Sequence, residues 1–409
     1  MTVFENAALL DVEAGVLRPG TSVLVDGDRI AEVSDRPIAA GRADRIDLRG
    51  RTLMPGLIDA HVHATITTMD LAAMGRRPLM LVAQEARVIL EAMLRRGFTT
   101  VRDAGGADHG LAKAIEAGLI RGPRLFYSGR VLSQTGGHGD FRPLEDQPCL
   151  SACRIHTSGF AHVADGADAV RRAAREELRR GATQVKVMAS GGVASPSDPI
   201  WVVQYTPEEI AAAVEEARSW RTYVMAHAYT PAAIERAVRA GVRSIEHGNL
   251  LDEPTARLMA ERGTFLVPTL VTYEKIAELG SAFGFPEASV AKVQDVTERG
   301  IASLDLAARA GVSIGFGTDL LGETHAFQSH ELMIRARAMK PLDVIRSATV
   351  VNAALLQRAG ELGVVRPGAL ADLLVVDGDP LADLWLLDGQ GEHLALVMRG
   401  GEVVHRAGV

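Results

Sequence analysis

Two histidines one residue apart, His61 and His63, follow the apolar run Leu57-Ile58-Asp59-Ala60. Residues two apart in a strand face the same side, so both imidazoles can grip one cation. Alone, such a pair reads equally well as two satisfied core histidines. His227 in Met225-Ala226-His227-Ala228-Tyr229 and His247 in Ser244-Ile245-Glu246-His247-Gly248 each close a short β-pattern. They are 20 residues apart with one capped helix between them, the spacing of a single strand–helix unit. Asp319 closes a further β-pattern, Ile314-Gly315-Phe316-Gly317-Thr318. A lone aspartate there reads as a helix cap. Four histidines and an aspartate, each at a strand end, exceed what caps and core packing explain together. Lys186 stands inside the apolar run Gln184-Val185-Lys186-Val187-Met188. It either snorkels from the strand edge or is a buried amine with a lowered pKa. A neutral amine reacts with carbon dioxide to give a carbamate, whose two oxygens can bridge two metal ions.

These residues need a frame that brings strand ends together. Short β-patterns recur near 57–63, 99–103, 124–129, 184–190, 222–228, 243–247, 264–268 and 313–318, alternating with helices. Eight such strands predict an α/β fold, a TIM-type (β/α)8 barrel over 56–355, with its site at the C-terminal strand ends. Glu85–Arg96 reads as an amphipathic helix closed by Gly97. Thr206-Pro207-Glu208-Glu209 carries a capping box, and Thr230-Pro231 opens the next helix, which Gly241 ends. Both chain ends are β-rich, with hairpin signals at Asp26-Gly27 and Gly400-Gly401. Residues 1–55 and 356–409 are therefore expected to form a small β-sandwich together. The Gly-, Pro- and His-rich stretch 130–165 reads as a long loop over the barrel mouth.

The 409 residues carry a net charge of −7, mixed along the chain, with no basic block. Nothing points to nucleic acid or an anionic membrane. No secretory signal or apolar run of transmembrane length is read, and Cys149 and Cys153 read as reduced thiols. A cytoplasmic location is expected.

His61 and His63 after Pro55-Gly56-Leu57-Ile58-Asp59, with Lys186, His227, His247 and Asp319, resemble the ligand set of the amidohydrolase superfamily. The resemblance includes the split β-sandwich and so spans nearly the whole chain. Thr135-Gly136-Gly137-His138-Gly139-Asp140, the stretch Met188 to Pro196, and His227-Ala228-Tyr229 resemble its Xaa-Pro dipeptidase and carboxypeptidase-like branch. Members of that branch hydrolyse dipeptides and N-acyl amino acids, and some relatives cleave ochratoxin.

The resemblance implies two divalent ions. His61, His63 and Asp319 would hold the more buried one, and His227 and His247 the other. Carboxylated Lys186 and a hydroxide would bridge them. The nitrogen and oxygen donors suit zinc, and are compatible with manganese or iron. Asp319 would move a proton from the attacking hydroxide to the leaving amine. Tyr229 and His138 would contact the tetrahedral intermediate or the substrate carboxylate, against the blander readings of packing and loop bracing. His325 and His330 are expected near the pocket, with His330 rather starting a helix. Pro196, Ile200, Trp201, Val202 and Val203 hint at an apolar wall suited to hydrophobic or aromatic substrates. A homo-oligomer is implied. Two other readings compete: a mononuclear deaminase or imidazolone-type hydrolase, against which Lys186 argues, and a non-catalytic barrel scaffold, against which the complete ligand set argues.

Overall fold

The computed structural model describes residues 1–74, 76–142, 160–195, 198–285 and 287–407. Cys149, Cys153 and Pro196 lie outside the described residues.

His61, Lys186, His227 and His247 sit on two arcs of parallel strands. One arc has three strands, Leu57–Val62, Phe98–Asp103 and Arg124–Tyr127. The other has six, running in the order Ala161–Val163, Val131–Ser133, Val185–Met188, Val224–Ala228, Ser244–His247 and Phe265–Val267. Every strand of the pair 57–62 and 98–103 is buried along its whole length, the pattern of strands covered on both faces. The helices between them end as the residues dictate. Thr206 and Glu209 form the expected capping box, and Gly97 and Gly241 take left-handed φ of +89° and +96°. The helix read from Glu85 begins earlier, at Leu79. Its first turn exposes Leu79 and Met80, so apolar periodicity concealed the start.

The eighth expected strand, 313–318, is not a full ladder strand. It makes one parallel bridge, Leu266 to Ile314, and the Ala60 amide donates to the Phe316 carbonyl at 2.9 Å. Asn352 stands between this segment and the strand Leu57–Val62. Its amide donates to Ile58 O (2.7 Å) and Phe316 O (2.8 Å), and its oxygen accepts from Phe316 N (3.1 Å). A side chain thus supplies bonds that a ladder would otherwise make. On the far side, the arcs meet where Thr183 N donates to Tyr127 O (2.8 Å) and the Gln184 amide to Asp103 O (3.0 Å). The expected single closed ladder is therefore replaced by two arcs joined through side chains and isolated bonds.

The chain ends, expected to form a small sandwich, share one eight-stranded sheet. Its order is Glu402–Arg406, Leu394–Arg399, Leu373–Val376, Thr52–Pro55, Thr2–Asp11, Val16–Asp26 and Arg29–Ser34, with Asp44–Asp47 pairing Thr2–Asp11. Both hairpins form where expected, with Asp26 opposite Arg29 and Arg399 opposite Glu402. Alternate residues serve two cores. Leu373 and Val375 pack with Phe4, Val23 and Leu53. Leu374 and Val376 pack with Leu90 and Leu94 of the helix Leu79–Arg95 and with Phe98 of the first arc. Only Gly56 separates the sheet strand Thr52–Pro55 from the strand that carries His61. A Cβ at Gly56 would fall 2.1 Å from Thr99 Oγ1, so glycine is required there. Among the described residues, no helix is long and apolar enough to cross a membrane.

Candidate metal centre

All six candidate ligands line one cavity, together with His138 and Tyr229. His61 sits in the strand Leu57–Val62 and His63 just beyond it. Their Nε2 atoms lie 3.3 and 3.1 Å from Asp319 Oδ1, and His247 Nδ1 lies 3.9 Å from Asp319 Oδ2. Ligand atoms of His61, His247 and Asp319 all fall within 4.8 Å of one another. His227 is joined to this group by its ring, 4.6 Å from that of His247. Lys186 is fully buried, in register beside Met225 and two residues before the pairing of Met188 with His227.

Two of these positions carry backbone strain. His247 and Asp319 have φ of +74° and +54° at their strand ends, where most side chains are disfavoured. Asp319 is held there by its amide, which donates to the His61 carbonyl at 2.8 Å. Gly317 permits that approach, since a Cβ on it would lie 2.8 Å from His61 Cβ.

Each of the four imidazoles also has one ring nitrogen bonded to the protein. His61 Nδ1 lies 2.7 Å from Glu246 Oε2, His63 Nδ1 2.9 Å from Gly105 O, and His247 Nδ1 2.8 Å from Thr269 Oγ1. His227 Nε2 lies 3.2 Å from Gly191 O. His61 Nε2 is buried without a hydrogen-bond partner among the described residues. Such an atom is costly unless something binds it. An orphaned imidazole nitrogen among clustered N and O donors, with its opposite nitrogen anchored to a carboxylate, fits a divalent cation.

The electrostatics follow from burial. Burial alone raises the Asp319 carboxyl, but the surrounding imidazoles, His61 first, hold it well below the usual range. Burial pushes His227 and His247 well below the ordinary imidazole value, which leaves them neutral. It also lowers the Lys186 ammonium to about 8, against the pull of Glu246 and Asp319.

Glu246, which in the sequence is only a neighbour of His247, anchors the centre. Its carboxylate takes Arg102 Nη2 at 3.0 Å on each oxygen as well as His61 Nδ1. Arg102 and Glu246 are both fully buried. Glu246→Gln is expected to weaken metal binding about 10- to 100-fold, measured by competition with a chromophoric chelator. Unchanged affinity would show that His61 needs no carboxylate behind it.

Tyr229 is buried and stacks on His247, with ring centroids 5.2 Å apart. Its hydroxyl lies 2.7 Å from that of Tyr273, a cavity residue that strand-end reasoning missed because it lies inside the helix Leu270–Leu279. His138 stacks on His227 with centroids 4.3 Å apart, and its Nδ1 lies 3.1 Å from Asp198 Oδ2.

The two remaining candidates part company. His330 starts the helix His330–Arg335 and pairs with Asp388 at 3.2 Å. His325 is buried, its Nε2 3.2 Å from Ile66 O, and burial lowers it to about 4. Between about 4 and the ordinary 6.5, the unfolded chain therefore binds more protons at this site than the native one. The stability carried by neutral His325 is present above 6.5 and lost as pH falls toward 4. His325→Gln keeps a donor for Ile66 and is expected to flatten the fall of Tm on acidification, read by thermal scans. An unchanged slope would assign the acid sensitivity elsewhere.

The expected apolar wall is also corrected. Trp201 is 73% exposed, Val203 bridges to Ser190, and Ile200 packs behind the cavity with Val193 and Tyr229. The wall is instead Ile66, Phe141, Phe160, Met188, Val193, Ile276 and Leu321.

The chain belongs to the amidohydrolase family, whose sequence model matches residues 52–404. It is an amidohydrolase-superfamily hydrolase, and its similar structures make the two arcs part of a TIM barrel with an extra domain. It is 53% identical to a prolidase crystallised with N-methylphosphonate-L-proline, with a TM-score of 0.97 over 99% of this chain and 100% of that one. A Xaa-Pro dipeptidase with methionine bound in its active site is 31% identical, with a TM-score of 0.88 over 98% of this chain and 99% of that one. Ochratoxinase of Aspergillus niger is 33% identical over 99% of this chain and 88% of its own length. These neighbours fit the dipeptidase-like branch.

Proposed function

We propose that this chain hydrolyses the amide bond of dipeptides or N-acyl amino acids, including those ending in proline or an aromatic residue, and that it does so with two divalent metal ions. The observation that carries the reading is the convergence of His61, His63, Lys186, His227, His247 and Asp319 on one cavity. The likeness to a prolidase, a dipeptidase and an ochratoxinase supports an amide as substrate.

His61, His63 and Asp319 would hold one ion, His227 and His247 the other, and carboxylated Lys186 would link the two. The shared position of Asp319, close to His61, His63 and His247 alike, supports a compact pair. When bound, zinc-type ions activate a water and polarise the scissile carbonyl. The protein's own groups do the rest. Asp319, ionised and walled by imidazoles, accepts the proton of the attacking water and releases it to the amide nitrogen as the C–N bond breaks. Tyr229, stacked on His247, and His138, stacked on His227, would face the developing oxyanion or the substrate carboxylate. The apolar wall takes the side chains and excludes water. Among the described residues no arginine lines the cavity, which disfavours substrates that need a salt bridge to one.

The test is a screen of Xaa-Pro and other dipeptides and N-acyl amino acids against zinc-loaded protein, with His61→Ala as the inactive control and metal counted by elemental analysis. Two ions per chain with amide cleavage support the reading. One ion per chain with deamination and no amide cleavage would replace it.

A further inference from the structure

Lys292 belongs to the long helix Glu287–Ala310, away from every motif that suggested chemistry. Its ammonium donates to three main-chain carbonyls: Gly192 O at 3.1 Å, Ser195 O at 2.7 Å and Asp198 O at 2.8 Å. An ammonium has three donors, so these bonds use its whole capacity. Lys292 is half-buried, and even partly desolvating so strongly hydrated a group has a cost that these three carbonyls and the nearby Asp198 carboxylate must offset. What Lys292 secures is the stretch following the strand Val185–Met188.

That stretch makes two contacts with the centre. Gly191 O faces His227 Nε2 at 3.2 Å. Asp198 Oδ2 faces His138 Nδ1 at 3.1 Å and accepts from Gly192 N at 3.1 Å and Gln204 Nε2 at 3.2 Å. Gln204 Oε1 in turn accepts from His138 N at 2.9 Å. Gly192 packs so closely on His138 that a Cβ would lie 2.3–2.8 Å from the imidazole. The ring is thus clamped between Gly192 and His227, with Nδ1 committed to Asp198.

We infer that Lys292 and Asp198 are positioning residues: Lys292 pins residues 190–195 and 198, and Asp198 then turns His138 Nε2 toward the substrate cavity. The catalytic half of this inference rests on the proposed amide hydrolysis; the pin does not.

The experiment uses full-length, metal-loaded protein with Lys292→Met, Asp198→Asn, His138→Ala and the Lys292→Met/His138→Ala double variant. Lys292→Met and Asp198→Asn are each expected to lower kcat/KM about 10- to 100-fold. The double variant should be no slower than His138→Ala, because both changes act through one ring. Hydrogen exchange of the 190–195 amides should quicken in Lys292→Met but not in Asp198→Asn. Lys292→Cys treated with 2-bromoethylamine regains an ammonium and should regain rate, with wild type treated alike to account for Cys149 and Cys153. Unchanged exchange in Lys292→Met overturns the pin whether or not any amide is cleaved. Full additivity with His138→Ala, or wild-type kinetics in Asp198→Asn, overturns the link to His138. Faster exchange in a protein whose wild type cleaves no amide keeps the pin and fails the functional reading alone.

Discussion

Asp319→Asn is expected to cut kcat about a thousandfold while leaving the fold intact. Asparagine matches aspartate in size, and the main-chain bond from residue 319 to the His61 carbonyl does not depend on the side chain. The left-handed φ of +54° is one that asparagine also tolerates. What disappears is the negative charge among His61, His63 and His247, and with it the proposed metal ligand and proton carrier. The imidazoles hold the wild-type carboxyl well below its ordinary range, so it stays ionised across the neutral range and is ready to receive a proton. The check is steady-state kinetics beside metal analysis and a thermal scan. A variant that keeps a tenth or more of wild-type kcat with both ions bound would assign the proton transfer to another group.

Lys186→Met should be at least as damaging, by a different route. Methionine fills the same space in the buried strand Val185–Met188 without a charge to desolvate, so Tm should hold or rise. On the proposed two-ion reading, metal content is expected to fall to one ion per chain or fewer, and activity about a thousandfold or more, because the activated water is lost with the bridge. Burial lowers the wild-type ammonium to about 8. An appreciable fraction is then the neutral amine, the form that adds to carbon dioxide. Wild type stripped of metal and reloaded without bicarbonate should recover less activity than wild type reloaded with it. Two ions retained in Lys186→Met would end the bridging role.

The residues legible in the sequence share one property: each announces itself against its local background. A histidine pair at period two, a lysine inside an apolar strand, and an aspartate after Gly317-Thr318 all stand out over a few residues. The same holds for the capping box at Thr206 and the glycines that end helices. What escaped depends on partners far apart in the chain. Glu246 finds Arg102, Asp198 finds His138, and Asn352 replaces ladder bonds between residues 58 and 316. No local pattern encodes such meetings, because they exist only after the strands have been placed. The same limit explains the misplaced apolar wall. Trp201, Val202 and Val203 are adjacent in sequence, whereas the true wall draws on residues from Ile66 to Leu321.

The sheet assembled from both ends has a consequence for synthesis. Strand Thr52–Pro55 leaves the ribosome early, but its partner Leu373–Val376 emerges more than three hundred residues later. Until then one border of Thr52–Pro55 has nothing to bond, and apolar residues such as Leu53 and Met54 lack the cover they have when mature. Unpaired apolar borders of this kind invite association between nascent chains. A product terminated after the last barrel segment would therefore carry every candidate ligand and yet be prone to clump, because the seam that shelters the strand leading to His61 is completed last.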